Sequence, residues 1–153
     1  MTGVQTCALP ISPDFIICSG LLNEVAEPLN VLKAARSLLG TSGTVHVNVP
    51  NAYSIHRRLA RAMGIIRAEN QLTERNVRFA QYRVFDSDSL TGLAQEAGFR
   101  IVEQGGYFMK PFTHAQMQSL GDLLSGEMLD GLWQLGRELP DLASEIYVNL
   151  QAA

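Results

Sequence analysis

The sequence lacks the features that mark several classes of protein. It contains two cysteines, Cys7 and Cys18, and has no CxxC or Cys/His spacing of the kind that zinc sites use, so we expect neither a metal site nor a disulfide. No apolar run approaches the roughly 20 residues that a membrane-spanning helix needs. A net charge of -3 gives no general attraction to the phosphates of nucleic acids. We therefore expect a cytoplasmic protein that binds neither membranes nor nucleic acid.

The chain has the size and composition of one globular domain, with 153 residues of which 46% are hydrophobic. Its first residues, MTGVQTCALPI, show neither helical nor alternating periodicity, and they resemble a translated sequencing-library adapter. We therefore expect an artefactual leader at residues 1–11, which implies a metagenomic source, and one domain over residues 12–153.

The first half of this domain has the pattern of a strand, a helix and a second strand. Residues 15–18 form a continuous apolar run, typical of a strand that is buried on both faces. A helix is predicted from Pro28 to Gly40, because apolar residues recur there at helical spacing. Alternating valines then predict a strand over 45–49. This order indicates a right-handed parallel crossover.

Further elements are predicted along the rest of the domain. A helix should run from Asn51 to Gly64, and a second should begin at Asp86 or Ser87 and end at Gly98. The polar residues 65–85 between them are a candidate lid, with a short helix started by Thr73.

The last third combines a strand, a helical segment and another strand. Residues 99–104 should form a strand that the pair Gly105-Gly106 breaks. Residues 111–143 read as a helical insertion, and Thr113 with Gln116 has the spacing of a capping box. Alternation over 146–150 predicts the final strand.

Three stretches resemble the second half of class I S-adenosylmethionine-dependent methyltransferases: DFIICSGLLNEVAEP, VLKAARSLLGTSGTVHVNVPNAYS and FDSDSLTGLAQEAGFRIVEQGG. The resemblance implies an α/β fold, namely the C-terminal half of a Rossmann-like sheet in the order 4-5-7-6, with the last strand antiparallel. The glycine-rich GxGxG loop of that family does not occur in this sequence. We therefore expect a truncated, inactive methyltransferase whose unpaired fourth strand favours self-association.

The resemblance also implies S-adenosylmethionine as cofactor and a small-molecule or sugar-type acceptor that is methylated at oxygen. Because ligands of open parallel sheets bind beyond the carboxyl ends of the strands, Ser19, Gly20 and Leu21 are the candidate cofactor-binding residues. The family reads His-hydrophobic-Leu-Glu-His where this chain reads GLLNE, so Gly20 and Glu24 replace its two histidines. An ordinary strand-to-helix turn is the alternative interpretation of these residues.

Several side chains could deprotonate or orient an acceptor hydroxyl. Glu24 is one, although it could instead charge a helix N-terminus, and Asn51 could instead be a helix cap. His46 alternates with core valines, which favours a structural role. The candidate catalytic residues are Glu24, His56 and His114, and the candidate substrate-binding residues are Asn51, Tyr53, Tyr82 and Lys110.

Two functions of other classes remain open at this point: a non-catalytic α/β interaction domain, and the second half of a nicotinamide-dependent dehydrogenase. A methyltransferase predicts an antiparallel final strand beside the fifth strand, whereas a dehydrogenase predicts a continued parallel sheet. An interaction domain predicts no crevice at residues 19–24.

Overall fold

The computed structural model describes residues 12–153, so the predictions for the leader and Cys7 lie outside the described residues. Helices pack on a four-stranded sheet. The strands are β1 (Phe15–Ser19), β2 (Thr44–Pro50), β3 (Phe99–Tyr107) and β4 (Glu145–Ala152). The helices are α1 (Pro28–Leu38), α2 (Ile55–Ala62), α3 (Glu74–Arg78), α4 (Ser87–Glu96), α5 (His114–Leu120) and α6 (Gly126–Glu138), with short 3-10 turns at Gly121–Leu123 and Pro140–Leu142. Within the described part of the chain, no helix is both long and apolar enough to cross a bilayer.

The sheet has the order β1-β2-β4-β3. Strand β1 is parallel to β2, as the crossover through α1 requires, and β4 is antiparallel to both of its neighbours. This arrangement confirms the predicted half-sheet, 4-5-7-6 with an antiparallel last strand. The described sheet does not continue beyond β2 with the parallel strands that a dehydrogenase would predict.

The core lies on the face of the sheet that α1 and α4 cover. Alternation puts the valines of β2 on this face, where Val47 pairs with Val148 of β4, and both are buried. Leu32 of α1 and Leu90 of α4 belong to the same core and are also fully buried. Burial of each such side chain stabilises the fold by about 1.5 to 3 kcal/mol.

The opposite face of the sheet carries aromatic and polar side chains. Tyr107 stacks between Tyr147 and Trp133 of α6, with ring centroids 4.7 and 5.6 Å apart. The His46 ring uses both nitrogens here: Nδ1 bonds with Asn149 Oδ1 at 2.7 Å, and Nε2 with the Tyr107 hydroxyl at 3.1 Å. His46 is therefore held by the sheet and has no free nitrogen for a ligand.

Two predicted element boundaries are wrong. Strand β3 continues through Gly105 and Gly106, because these glycines allow a close approach and do not form a turn. A Cβ on Gly106 would lie 2.6 Å from the Cβ of Ala143 and 2.8 Å from the Cα of Pro140. The helix expected from Asn51 begins only at Ile55, because the residues after β2 first pair with the chain around Phe85.

The helix starts that depend on capping are confirmed. The side chains of Thr73, Asp86 and Thr113 each accept a hydrogen bond from the backbone N–H three residues on. The last of these opens the helical segment 111–143. Its helix α6 is anchored beside the end of β3, where the backbone N–H of Met109 donates to a carbonyl of α6 at 2.7 Å. This anchor fixes the position of the loop that follows β3.

Candidate active site at the carboxyl ends of β1 and β2

The predicted cofactor-binding residues form an open turn at the end of β1. The backbone N–H of Gly20 donates to the carbonyl of Asn48 at 2.9 Å, which joins the ends of the two parallel strands. Gly20 has a φ of +61°, a conformation that favours glycine, and no atom lies within 4 Å of where its Cβ would be. Ser19 and Leu21 are exposed. The turn therefore leaves room over its backbone for a ligand.

Behind this turn lies a buried amide without hydrogen-bond partners. The side chain of Asn23 is 1% exposed, and neither its Nδ2 nor its Oδ1 has a partner among the described residues. An unsatisfied buried polar group destabilises a protein by about 1 to 3 kcal/mol. Because α/β sheets bind ligands beyond the carboxyl ends of their parallel strands, this amide makes the loop after β1 a candidate ligand site.

Residues 65–85, called the strap below, are tied to the elements on both sides of them. The guanidinium of Arg57 in α2 donates to the carbonyls of Glu69 at 2.6 Å and Gln71 at 2.5 Å. At the other end, the backbone N–H of Tyr82 donates to the carbonyl of Asn23 at 2.8 Å. The strap therefore runs from α2 to the loop after β1, and its role as a lid stays a prediction.

His56, at the start of α2, has a buried and unpaired ring nitrogen. Its Nδ1 has no hydrogen-bond partner within the described residues. Burial, and after it the positive charges of Lys110, Arg57 and Arg75, together lower the pKa of His56 from 6.5 to about 4, against a smaller opposing effect of the Lys110 carbonyl. The ring is therefore neutral at pH 7, and Nδ1 is available as an acceptor.

The charges around His56 come from three separate elements, and none of the three forms an ion pair within the described residues. Burial lowers the pKa of Lys110, and the charge of Arg75 lowers it further, while Glu145 opposes both effects. Neither Lys110 nor Arg75 forms an ion pair with a carboxylate of residues 12–153, where the single ion pair joins Arg61 to Glu69. Glu145 instead accepts a hydrogen bond from the buried amide of Asn48 at 2.5 Å. The cluster is positive overall.

The predicted substrate-binding residue Asn51 has no free polar atom. Its Nδ2 donates to the carbonyls of Asp141 at 3.0 Å and Ala143 at 2.9 Å, and its Oδ1 accepts from the backbone of Tyr53 at 2.9 Å. Asn51 therefore braces the connection between β2 and β4. It is also not the cap of α2, because Ser54 occupies that position.

The remaining predicted residues lie at the surface. Tyr53 and Tyr82 are exposed, and the guanidinium of Arg58 sits 5.4 Å from the centre of the Tyr53 ring. Glu24 is exposed in the loop between β1 and α1, and His114 is exposed at the first position of α5. Neither Glu24 nor His114 makes a side-chain hydrogen bond with another described residue. Of the three candidate catalytic residues, only His56 has a buried polar atom without a hydrogen-bond partner among the described residues.

Three residues of the site were not predicted from the sequence. Asn23 and Ser54 are buried with unpaired side-chain atoms, and Arg75 supplies one of the charges near His56. A polar residue in the loop that follows a parallel strand, as at Asn23, is a signal that could have been used. Nothing local distinguishes Arg75 from the other arginines of the strap.

The sequence matches one protein-family model over most of the segments described above. Residues 8–104, more than half of the chain, match the model of a family described as a methyltransferase domain. No curated protein matches the sequence significantly.

The fold matches several solved structures. An S-adenosylmethionine-dependent methyltransferase of Thermotoga maritima aligns over 95% of this chain and 60% of its own, at 18% identity and a TM-score of 0.54. The CcbJ methyltransferase of Streptomyces caelestis aligns over 95% and 63%, at 14% identity and a TM-score of 0.52. An S-adenosylmethionine-dependent methyltransferase of Archaeoglobus fulgidus aligns over 92% and 59%, at 11% identity and a TM-score of 0.52. The chain therefore spans roughly three fifths of each of these structures.

Proposed function

Because the chain belongs to a family of methyltransferase domains, we propose that its complete form transfers a methyl group from S-adenosylmethionine to an oxygen atom of a small-molecule or sugar-type acceptor. One observation carries the proposal. Two side chains with buried polar atoms that lack partners among the described residues, Asn23 and His56, occur in the segments that follow the adjacent parallel strands β1 and β2. This is the edge where α/β sheets bind their ligands.

The residues of the open turn fit the cofactor. The uncovered backbone of Gly20 admits close contact, and Ser19 and Leu21 flank it. Asn23 offers both a donor and an acceptor to polar groups of a bound molecule. When bound, S-adenosylmethionine supplies a methyl group on a positively charged sulfur, and that sulfur keeps the electron pair of the broken carbon–sulfur bond. The chain's own residues then need to align an acceptor oxygen and remove its proton.

His56 is the residue that we assign to the acceptor hydroxyl. Its neutral ring presents an unpaired Nδ1, which accepts the hydroxyl proton as the oxygen forms its new bond to carbon. A histidine with a pKa of about 4 is a weak base, so positioning of the hydroxyl contributes more than proton affinity in this form of the site. Glu24 and His114 have no comparable environment, and we assign them no step.

We propose that the 153-residue chain is inactive by itself. The glycine-rich loop that binds the cofactor in this family does not occur in its sequence. The test is to express the reading frame extended upstream of Ser12 in the source DNA, and to measure transfer of tritiated methyl from S-adenosylmethionine to hydroxylated small molecules and sugars. We expect transfer by the extended protein, a loss of at least 100-fold in His56→Gln, and none by the shorter chain.

The Asn23→Leu variant tests the cofactor site separately. Leucine has a similar volume and no polar atoms, so it should weaken S-adenosylmethionine binding to the extended protein at least 10-fold while the fold is kept. Calorimetric titration with the cofactor measures this change. The proposed function would be overturned if the extended protein contained no glycine-rich loop or did not bind the cofactor.

We also propose that the chain self-associates through the free edge of β1. Strand β1 pairs with β2 alone among the described strands, and Phe15 and Ile17 on one of its faces are 56% and 64% exposed. Sedimentation velocity should show dimers or larger species at micromolar concentration. Ile17→Lys should shift the chain towards monomer, and a chain that is already monomeric at 100 μM contradicts self-association.

A further inference from the structure

The unpaired cations next to His56 indicate the chemical class of the acceptor. We propose that the acceptor carries an oxyanion, a carboxylate or a phosphate, which Lys110 and Arg75 bind while its hydroxyl group meets Nδ1 of His56. This inference rests on the proposed function, because it assigns the acceptor of that same site.

The first support is the convergence of positive charge. Arg57 lies on α2, Arg75 on α3 in the strap, and Lys110 on the loop after β3, and the three charges act together on His56. Arg57 is occupied by two carbonyls of the strap. Lys110 and Arg75 remain, and neither has a carboxylate partner among residues 12–153. Lys110 is partly buried, whereas Arg75 is exposed and its guanidinium lies 5.6 Å from the centre of the Phe79 ring. A partly buried charge such as that of Lys110 is unfavourable without a counterion, and a bound anion, which the exposed Arg75 can also reach, removes this penalty.

The second support is the set of buried polar atoms beside these charges. Nδ1 of His56 and Oγ of Ser54, two residues apart, both lack hydrogen-bond partners within the described residues, and Ser54 is fully buried. A polar atom of this kind is satisfied when a ligand brings the complementary group. A hydroxyl group is such a group for the neutral imidazole, because it donates to the free Nδ1.

The nearest acidic side chain does not neutralise the cluster. Glu145 acts electrostatically on Lys110. Its carboxylate lies farther from Lys110 than the 4 Å of an ion pair and is held by Asn48. An acceptor anion would supply the missing negative charge and would also reverse the effect of the cations on His56. The acidic acceptor would thereby make His56 a stronger base once it is bound.

The test uses the 153-residue chain and two probes that differ in charge, 4-hydroxybenzoate and its neutral analogue 4-hydroxybenzamide. The pKa of His56 is followed by nuclear magnetic resonance of the imidazole ring, with and without each probe. We expect binding of the acid at least 10-fold tighter than binding of the amide, and a His56 pKa that rises when the acid is bound. Inorganic phosphate is the second anion, and it should also raise this pKa if the site accepts phosphates; a rise with the acid alone assigns the site to carboxylates.

Matched variants locate the binding residues. Lys110→Gln and Arg75→Gln should each weaken binding of the acid at least 10-fold. Arg78→Gln, on the same short helix as Arg75, should leave it unchanged, because Arg78 is not among the charges that act on His56. Equal binding of acid and amide, an unchanged His56 pKa with both anions, or equal losses in Arg75→Gln and Arg78→Gln would each overturn the inference.

The outcomes separate this inference from the proposed function, because the binding readout requires neither cofactor nor methyl transfer. If the extended protein methylates neutral acceptors in preference to acidic ones, the inference fails and the proposed function stands. If the acid binds as described and the extended protein transfers no methyl group, the anion site stands and the proposed function fails.

Discussion

Acid should destabilise this fold through His56. The pKa of this residue is about 4 in the folded chain and 6.5 in the reference state. At 1.36 kcal/mol for each pH unit between these values, full expression of the difference amounts to about 3 kcal/mol. Partial solvent access of the ring screens this effect, and we expect about 2 kcal/mol.

The sign follows from proton binding. Between pH 6.5 and 4 the unfolded chain binds a proton at His56 and the folded chain does not, so acidification favours unfolding. The stability that a neutral His56 allows is complete above pH 6.5 and is lost as the pH falls towards 4. A His56→Gln variant has no titratable group at position 56. Its free energy of unfolding should therefore fall by about 2 kcal/mol less than that of the parent over the same pH interval.

Urea denaturation at pH 7.5, 6.5, 5.5 and 4.5 measures the free energy of unfolding of both proteins. His114→Gln is the control, because it removes an exposed imidazole on α5 and leaves the surroundings of His56 intact. Parallel stability curves for the parent and His56→Gln would refute the reasoning, and so would a His56 pKa near 6.5 in the folded chain.

Three further substitutions test the packing that positions the site, each by its urea midpoint. Gly136→Ala should destabilise by about 1 to 3 kcal/mol, because its Cβ would lie 2.3 Å from the backbone nitrogen of the chain after β3, whereas Gly131→Ala on the same helix has open space and should be neutral or stabilising. Leu32→Ala should cost about 2 to 5 kcal/mol, and the exposed Leu38→Ala on the same helix less than about 0.5; equal losses would contradict the assigned core. Asn51→Ala should cost about 1 to 3 kcal/mol, since it leaves the buried Ala143 carbonyl, the partly buried Asp141 carbonyl and the N–H of Tyr53 without this partner, and an unchanged midpoint would argue against its bracing role.

The local elements were predictable because the physics that sets them is short-range. Helix α1 begins at Pro28 as its sequence indicates, and α4 is capped by Asp86, whose side chain needs only the N–H three residues away. Alternation in β2 and β4 identified the core-facing valines. The order of the strands came from the resemblance to a methyltransferase half-sheet, and the structure confirms it.

Close approaches between distant segments could not be read from the chain. Gly105 and Gly106 look like a break, and they form continuous strand because Tyr147, Pro140 and Ala143 press against them from elsewhere in the sequence. A glycine pair carries no local sign that distinguishes a turn from a tight contact.

The sequence by itself thus determined the type of each main element, the apolar faces of β2 and β4, and the family. The prediction that β1 is buried on both faces is wrong, because Phe15 and Ile17 on one of its faces are exposed. Only the tertiary structure decided the site. It brought residues 56, 75 and 110 together, buried Asn23 without a partner, and occupied Asn51 with backbone carbonyls. Burial and the proximity of charges depend on how the segments fold back on one another, and those two quantities shift a pKa and leave a polar atom free for a ligand.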